Sequence, residues 1–250
     1  MSGHSKWSTI KRKKGAADAK RGALFGKLSR AITVAAREGG GDMEMNPALH
    51  LAVQKARDAN MPNDNIQRAI DKGTGAGSDA DAFERITYEG YAPGGVAVLV
   101  DVLTDNRNRA ASDVRYIFSK NGGKLGTSGS VAYLFERKGI ILIPRDSADE
   151  DDLMEVALES GAEDVAEHEN DYRVVTTPED FTSVREALGG ANIAFENAEI
   201  TMVPQNSIDL EAGTARQTLR LIDALEENDD VQEVYANFDI SEEVMAEVAT

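Results

Sequence analysis

Lys6-Trp7 and Ile10-Lys11-Arg12-Lys13-Lys14 place five cations and one indole within nine residues. Mobile cations at this density displace the counterions condensed on a polyanion, so the chemistry they suit best is phosphate binding. Trp7 is the single tryptophan of the chain. Its indole can stack on an exposed base, worth about 1–3 kcal/mol, or fold onto the helices as a core anchor. A solvated basic tail is the plainer alternative for the whole run. A membrane surface suits it less, because the run lacks an apolar face to bury. Lys20, Arg21, Lys27 and Arg30 continue the basic series. A second group, Asp105-Asn106-Arg107-Asn108-Arg109, sets two arginines and two amides at the start of a helix. Arg107 and Arg109 there suit phosphate or ribose, and capping with local salt bridging explains them equally well.

The catalytic repertoire is thin by comparison. The chain has no cysteine, which excludes a thiol nucleophile, an iron–sulfur cluster, a disulfide framework and any cysteine-built zinc site. His4, His50 and His168 form no ligand spacing. Gly123-Lys124 is followed by Leu125 and lacks the upstream glycine of a phosphate-binding P-loop. Gly73, Gly75 and Gly77 follow a helix instead of a strand, with the wrong spacing for a dinucleotide fingerprint. Gly126-Thr127-Ser128-Gly129-Ser130 fails the nucleophile-elbow spacing at its fifth position. Asp149 to Asp152 opens a helix, where the dipole favours acid. Glu226-Glu227 and Asp229-Asp230 close another, read as solvated. No catalytic constellation, metal site, cofactor or small-molecule substrate is expected.

Net charge sharpens the contrast. The total of −17 conceals +9 over residues 1–37, with ten Lys/Arg against Asp18 alone. Residues 73–143 balance, and residues 144–250 carry 29 acids against five bases. Such polarity suggests a basic contact module joined to acidic, solubilising domains. The basic start is not followed by an apolar h-region, and no apolar run approaches the roughly 20 residues of a membrane span. A cytoplasmic protein is expected.

The elements that must position these groups follow from periodicity. Residues 16–38 show helical spacing, with Leu24, Phe25, Leu28, Ile32, Ala35 and Ala36 on one face and Lys20, Lys27, Arg30 and Arg37 on another. Asn46 and Pro47 start a second helix, ending near Ala59. Met61-Pro62 breaks it, and Asp64 with Gln67 predicts a capping box for a third helix over 64–72. Gly73 to Ser78 reads as a linker. Strands are predicted at 85–91 and 96–103 around the Pro93-Gly94-Gly95 turn, a helix at 107–120 and a strand at 131–135. Residues 139–203 follow a β-α-β-β-α-β order, the ferredoxin-like pattern. A helix over 211–227 and a strand over 231–237 could complete the sheet begun at 84. The expected class is α+β, with three domains. These are a basic three-helix domain (1–77), a discontinuous α/β domain (78–136 plus 205–250), and a ferredoxin-like domain (137–204) inserted into it.

At these residues the chain resembles the YebC/PmpR family. The resemblance is carried by Gly3-His4-Ser5-Lys6-Trp7, Asp18-Ala19-Lys20-Arg21-Gly22, Gly39-Gly40-Gly41-Asp42 and Asn60-Met61-Pro62. It continues through Tyr88-Glu89-Gly90-Tyr91, Asp105 to Arg109, Gly129-Ser130-Val131-Ala132-Tyr133 and Val234-Tyr235-Ala236-Asn237. Met43 and Ala48 stand where the family often has proline and arginine. The resemblance implies a three-domain cytoplasmic protein of the order just described. It also implies a DNA-binding transcriptional regulator or, as the alternative, a ribosome-associated translation factor that binds rRNA or tRNA and relieves stalls at proline-rich sequences. The residues leave duplex DNA and structured RNA both open as partner. No helix shows the base-reading side chains of a helix-turn-helix, and a flexible basic arm with one aromatic suits structured RNA. The expected nucleic-acid contacts are Lys6, Trp7, Lys11, Arg12, Lys13, Lys14, Lys20, Arg21, Lys27 and Arg30, with Arg107 and Arg109 as a second contact. A protein-interaction scaffold whose basic arm docks on acidic surfaces is the rival reading.

Overall fold

The computed structural model describes residues 18–75, 83–168 and 171–248. It is a mixed α and β protein, with N-terminal helices followed by α/β elements. Helices α1 (Asp18–Gly39), α2 (Pro47–Asp58) and α3 (Asn63–Thr74) come first. The expected face of α1 buries Leu28, Ile32, Ala35 and Ala36 against Leu49 and Val53 of α2 and Ile66 and Ile70 of α3. Leu24, placed on that face by periodicity, is instead exposed. Thr33 is buried on another side, because α3 packs there. Its hydroxyl lies 2.9 Å from the Ser29 carbonyl and 3.1 Å from that of Ala69, sharing one proton between them.

Asn46 caps α2 as its position predicts. Its side-chain oxygen accepts from the Leu49 N–H, while its amide donates to the Ala35 and Gly40 carbonyls at 2.8 Å each. One buried side chain thereby satisfies orphan groups at the end of α1 and the start of α2. The predicted capping box at Asp64 does not form. The chain turns helical at Asn63 directly after Pro62, with no side-chain cap, and Gln67 donates to Asp71 at 2.8 Å instead. Asp64 then lies inside the first turn, where its charge meets the helix dipole. The predicted linker also starts too early, since Gly73 and Thr74 belong to α3. A Cβ on Gly73 would stand 2.4 Å from the Thr33 carbonyl, so glycine is what lets α3 close on α1.

Strands β1 (Glu84–Tyr91) and β2 (Ala97–Thr104) form the expected antiparallel hairpin, Arg85 opposite Leu103 and Gly90 opposite Val98. Gly94 and Gly95 turn it with φ of 81° and 78°, which a side chain would strain. Helix α4 (Arg107–Lys120) and the short β3 (Lys124–Leu125) follow, β3 pairing with β1. The strand predicted at 131–135 is replaced by a 3-10 turn at Ala132–Leu134. The buried Glu89 carboxylate explains this. It accepts the backbone N–H groups of Gly129, Val131 and Ala132 at 2.6–2.8 Å, leaving them none to offer a ladder.

The chain then builds β4 (Phe135–Pro144), α5 (Glu150–Glu159), β5 (Ala162–Glu167), β6 (Asp171–Thr176), α6 (Phe181–Gly190) and β7 (Asn197–Pro204). The sheet order β5-β6-β4-β7, antiparallel throughout, is the ferredoxin-like arrangement expected from the β-α-β-β-α-β order. Ile141, Ile143, Leu153, Val174, Phe181 and Leu188 fill its core. Helix α6 starts at Phe181, preceded by a turn in which the Thr177 hydroxyl accepts the Asp180 N–H and donates to its carboxylate.

After β8 (Ile208–Asp209), helix α7 (Ala212–Glu226) leads into β9 (Val231–Ala236), β10 (Phe238–Asp239) and α8 (Glu242–Val248). Strand β9 pairs antiparallel with β2, so the sheet begun at Glu84 closes as β3-β1-β2-β9. Phe118, Leu221, Ile222 and Phe238 lie in its core. By backbone contacts the described residues divide into two compact units, one within 135–205 and the other within 18–134 and 206–248. The three helices belong to the second unit.

Candidate nucleic-acid interface

Lys6, Trp7, Lys11, Arg12, Lys13 and Lys14 lie outside the described residues. Lys20 falls in the first turn of α1, and its side chain is likewise outside the description. Arg21 is exposed one residue further along. The next two cations of the series, Lys27 and Arg30, face the molecule itself. Lys27 Nζ donates to the Glu226 carbonyl at 2.6 Å. Burial pushes its pKa down, and Glu226, Glu233 and Asp229 oppose that shift. Arg30 donates to the Asp229 carbonyl at 2.6 Å and reaches the Asp230 carboxylate at 3.4 Å. Lys55 of α2 contacts Glu233. The acidic stretch 226–233 thus meets three cations of the helical region.

Asp230 is the centre of this contact. The end of α7 was expected to be solvated, yet Asp230 is buried. Its carboxylate accepts from the Thr104 hydroxyl and from Arg109, both at 2.9 Å, besides approaching Arg30. Burying an acid is tolerable only with such donors around it. Arg109 is also 2.6 Å from Asp105, and both carboxylates raise its pKa further. Asn106 caps α4 by accepting the Arg109 N–H at 3.0 Å. Arg107 points elsewhere, 3.9 Å from Glu84 and 70% exposed. The two arginines of that segment therefore differ, one bound inside a network and one presented to solvent.

A further basic surface lies apart from the cations that the sequence singles out. Between α1 and α3 lies a cleft of about 410 Å³, whose lining includes Ser29, Arg30, Asn65, Arg68, Lys72 and Phe83. Arg68 and Lys72 are one helical turn apart on α3 and exposed. Neither forms an ion pair with a described residue. The Arg30 guanidinium carbon lies 5.4 Å from the centre of the Phe83 ring, in cation–π contact. The four-residue spacing was visible in the sequence, but the partner wall from α1 was not. Among the described residues no group of three or more His, Asp or Glu is placed to hold a metal ion. No described helix is long and apolar enough to cross a membrane.

Among the described residues the arrangement presents exposed cations, Arg21, Arg68, Lys72 and Arg107, beside the paired Lys27, Arg30 and Arg109. Comparison with known proteins places it among relatives. Residues 5–76 match the family model described as the TACO1/YebC protein N-terminal domain, and residues 83–238 match the TACO1/YebC second and third domain. A probable transcriptional regulatory protein of Rubrobacter xylanophilus is 77% identical over 249 residues, covering 100% of both chains. One of the same description from Syntrophus aciditrophicus is 57% identical, again over 100% of both. Among solved structures, the crystal structure of a conserved hypothetical protein, Aq1575, from Aquifex aeolicus is similar with a TM-score of 0.79 and 50% identity. That match covers 90% of this chain and 93% of the other. With both models matched in chain order and full-length relatives at this identity, the chain belongs to the TACO1/YebC family.

Proposed function

We propose that this protein is a non-enzymatic regulator of gene expression that acts by binding nucleic acid, with duplex DNA at promoters as its ligand. The observation that carries the reading is the segregation of charge, +9 over residues 1–37 against 29 acids and five bases over residues 144–250. The description of its relatives as probable transcriptional regulatory proteins supports the same direction. In this reading Lys6 and Lys11 to Lys14 grip phosphates, Lys20 and Arg21 extend the grip along α1, and Trp7 anchors or stacks. Lys27 and Arg30 share their charge between the acidic stretch 226–233 and the approaching polyanion. Arg107 adds a second contact, positioned by a network in which Arg109 takes part. The acidic remainder orients the protein by repulsion from neighbouring phosphates. No cofactor, small-molecule substrate or membrane takes part, and the work is done in the cytoplasm.

A second reading, binding to ribosomal RNA or tRNA in translation, draws on the cleft between α1 and α3. A concave site of that size admits an unpaired base, a form that structured RNA offers and an intact duplex does not. Binding to promoter duplex, random duplex and purified ribosomes, each over a salt series, separates the two. The promoter reading expects the promoter duplex to bind tightest. Equal duplex affinities beside tight ribosome binding would overturn it in favour of RNA. Salt-independent or absent binding to all three would overturn the nucleic-acid reading. Replacing Lys11, Arg12, Lys13 and Lys14 together by alanine is expected to lower the salt slope by up to about four units.

A further inference from the structure

We propose that the cleft between α1 and α3 binds one unpaired nucleotide of a nucleic-acid strand. Its phosphodiester lies between Arg68 and Lys72, and its base lies against Phe83 and Arg30. This rests on the second, structured-RNA form of the nucleic-acid reading above and names the form of ligand the cleft takes.

Four observations converge on it. The first is size. About 410 Å³ falls within the roughly 300–1,000 Å³ of small-ligand sites and accommodates a nucleotide. A duplex, its bases stacked behind two backbones, can only lie across the mouth. The second is charge. Arg68, Lys72 and Arg30 line the cleft and no acidic residue does, among the described residues. Arg30 is neutralised in part by Asp230, but Arg68 and Lys72 have no carboxylate partner among the described residues. Arg68 Nε donates to the Asp64 carbonyl at 3.2 Å, which steadies the guanidinium for a phosphate.

The third is flat surface. Arg30 and Phe83 already pair at 5.4 Å, and a base added to a cation–aromatic pair extends it by stacking. Asn65 and Ser29, partly buried in the lining, make no side-chain hydrogen bond among the described residues. An amide offers both donor and acceptor to a base edge. The fourth is the cleft wall at Gly26. This glycine sits inside α1, where glycine weakens a helix relative to alanine. A Cβ there would have no atom within 4 Å, so no packing neighbour requires its absence. A side chain built there would project into the open space of the cleft.

The test uses the full chain, with a short fluorescein-labelled oligouridylate and the same strand annealed into duplex. Gly26→Met fills the cleft from a helix position free of clashes, and its thermal melt should be unchanged or raised. Single-strand affinity is expected to fall by about tenfold or more, the weight of one stacked base, while duplex affinity holds. Arg68→Ala with Lys72→Ala should lower the single-strand salt slope by about 0.7, the share of one phosphate, instead of about 1.4 for two separate ones. Wild-type protein that binds strands as Gly26→Met does would overturn the cleft site and leave the nucleic-acid reading intact. Equal losses on strand and duplex would also overturn it, in favour of a surface contact. Uridine monophosphate binding as tightly as the strand would reassign the cleft to a free nucleotide. Wild-type protein that binds neither strand nor duplex would overturn both readings together.

Discussion

Two buried carboxylates, Glu89 and Asp230, solve the same problem in opposite ways. Glu89 stands on β1 and is satisfied by backbone N–H groups of the 129–132 turn. Asp230 follows α7 and is satisfied by a hydroxyl and two arginines from three different elements. Neutral backbone dipoles are fixed in place and indifferent to salt, so Glu89 locks local geometry. Cationic side chains respond to salt and can be drawn to another anion. Asp230 therefore ties the helical region to the sheet through charges of the kind that a polyanion also engages.

The largest expected effect breaks the cationic side of this comparison. Asp230→Ala leaves Arg30 and Arg109 without their shared carboxylate and should lower unfolding free energy by about 3 kcal/mol, measured by urea denaturation. Asp230→Asn keeps the shape and should show how much of that loss is charge. If both variants unfold like the wild type, the carboxylate is not the tie described.

A smaller effect tests the close approach of helices that brings Arg30 to its partners. Gly73→Ala should destabilise by about 2 kcal/mol, because its Cβ meets the Thr33 carbonyl. Gly26→Ala, facing open space on the same helix pair, should instead stabilise by about 0.5–1 kcal/mol. Equal signs for the two would contradict the packing.

Glu89 sharpens the other side. Burial pushes its carboxyl pKa up, but the N–H groups of Val131, Gly129, Ala132 and Ser130 outweigh this and hold it below the ordinary value. Its stabilisation is therefore fully present above the unfolded pKa of about 4.3, and is lost as pH falls through the lower folded value. Glu89→Gln should destabilise by about 1–2 kcal/mol at neutral pH and flatten the acid limb of a stability–pH profile. An unchanged acid limb would remove Glu89 from that role. The smallest effect belongs to the ferredoxin-like unit, where the half-buried Lys138 lies between the exposed carboxylates of Glu136 and Glu163. Lys138→Ala should move neither the unfolding midpoint nor nucleic-acid affinity.

Local signals carried most of the fold. Asn46-Pro47 caps a helix, Pro93-Gly94-Gly95 turns a hairpin, and alternating periods over 139–203 spell the ferredoxin-like order. Each of these needs only neighbouring residues. What escaped depends on partners far along the chain. Residues 131–135 have strand-forming composition, and Glu89, some forty residues away, diverts the amides of Val131 and Ala132. Asp230 looks like a solvated acid until Arg30, 200 residues distant, is brought to it. Gly73 reads as a linker because the carbonyl it must accommodate belongs to another helix. The site divides in the same way. The basic arm was legible as charge density, whereas Arg68 and Lys72 resemble any exposed helical pair until the packing of α1 supplies the facing wall.

Phe135 pairs with Pro204, so the chain enters and leaves the ferredoxin-like unit at neighbouring points, about 5 Å apart. That is the geometry of a removable cassette. A chain joining Leu134 to Gln205 through a short turn would keep the β3-β1-β2-β9 sheet and the three helices, since no strand of either sheet is shared. Grafting, exchanging or removing the acidic unit is therefore expected to leave that sheet and the three helices folded.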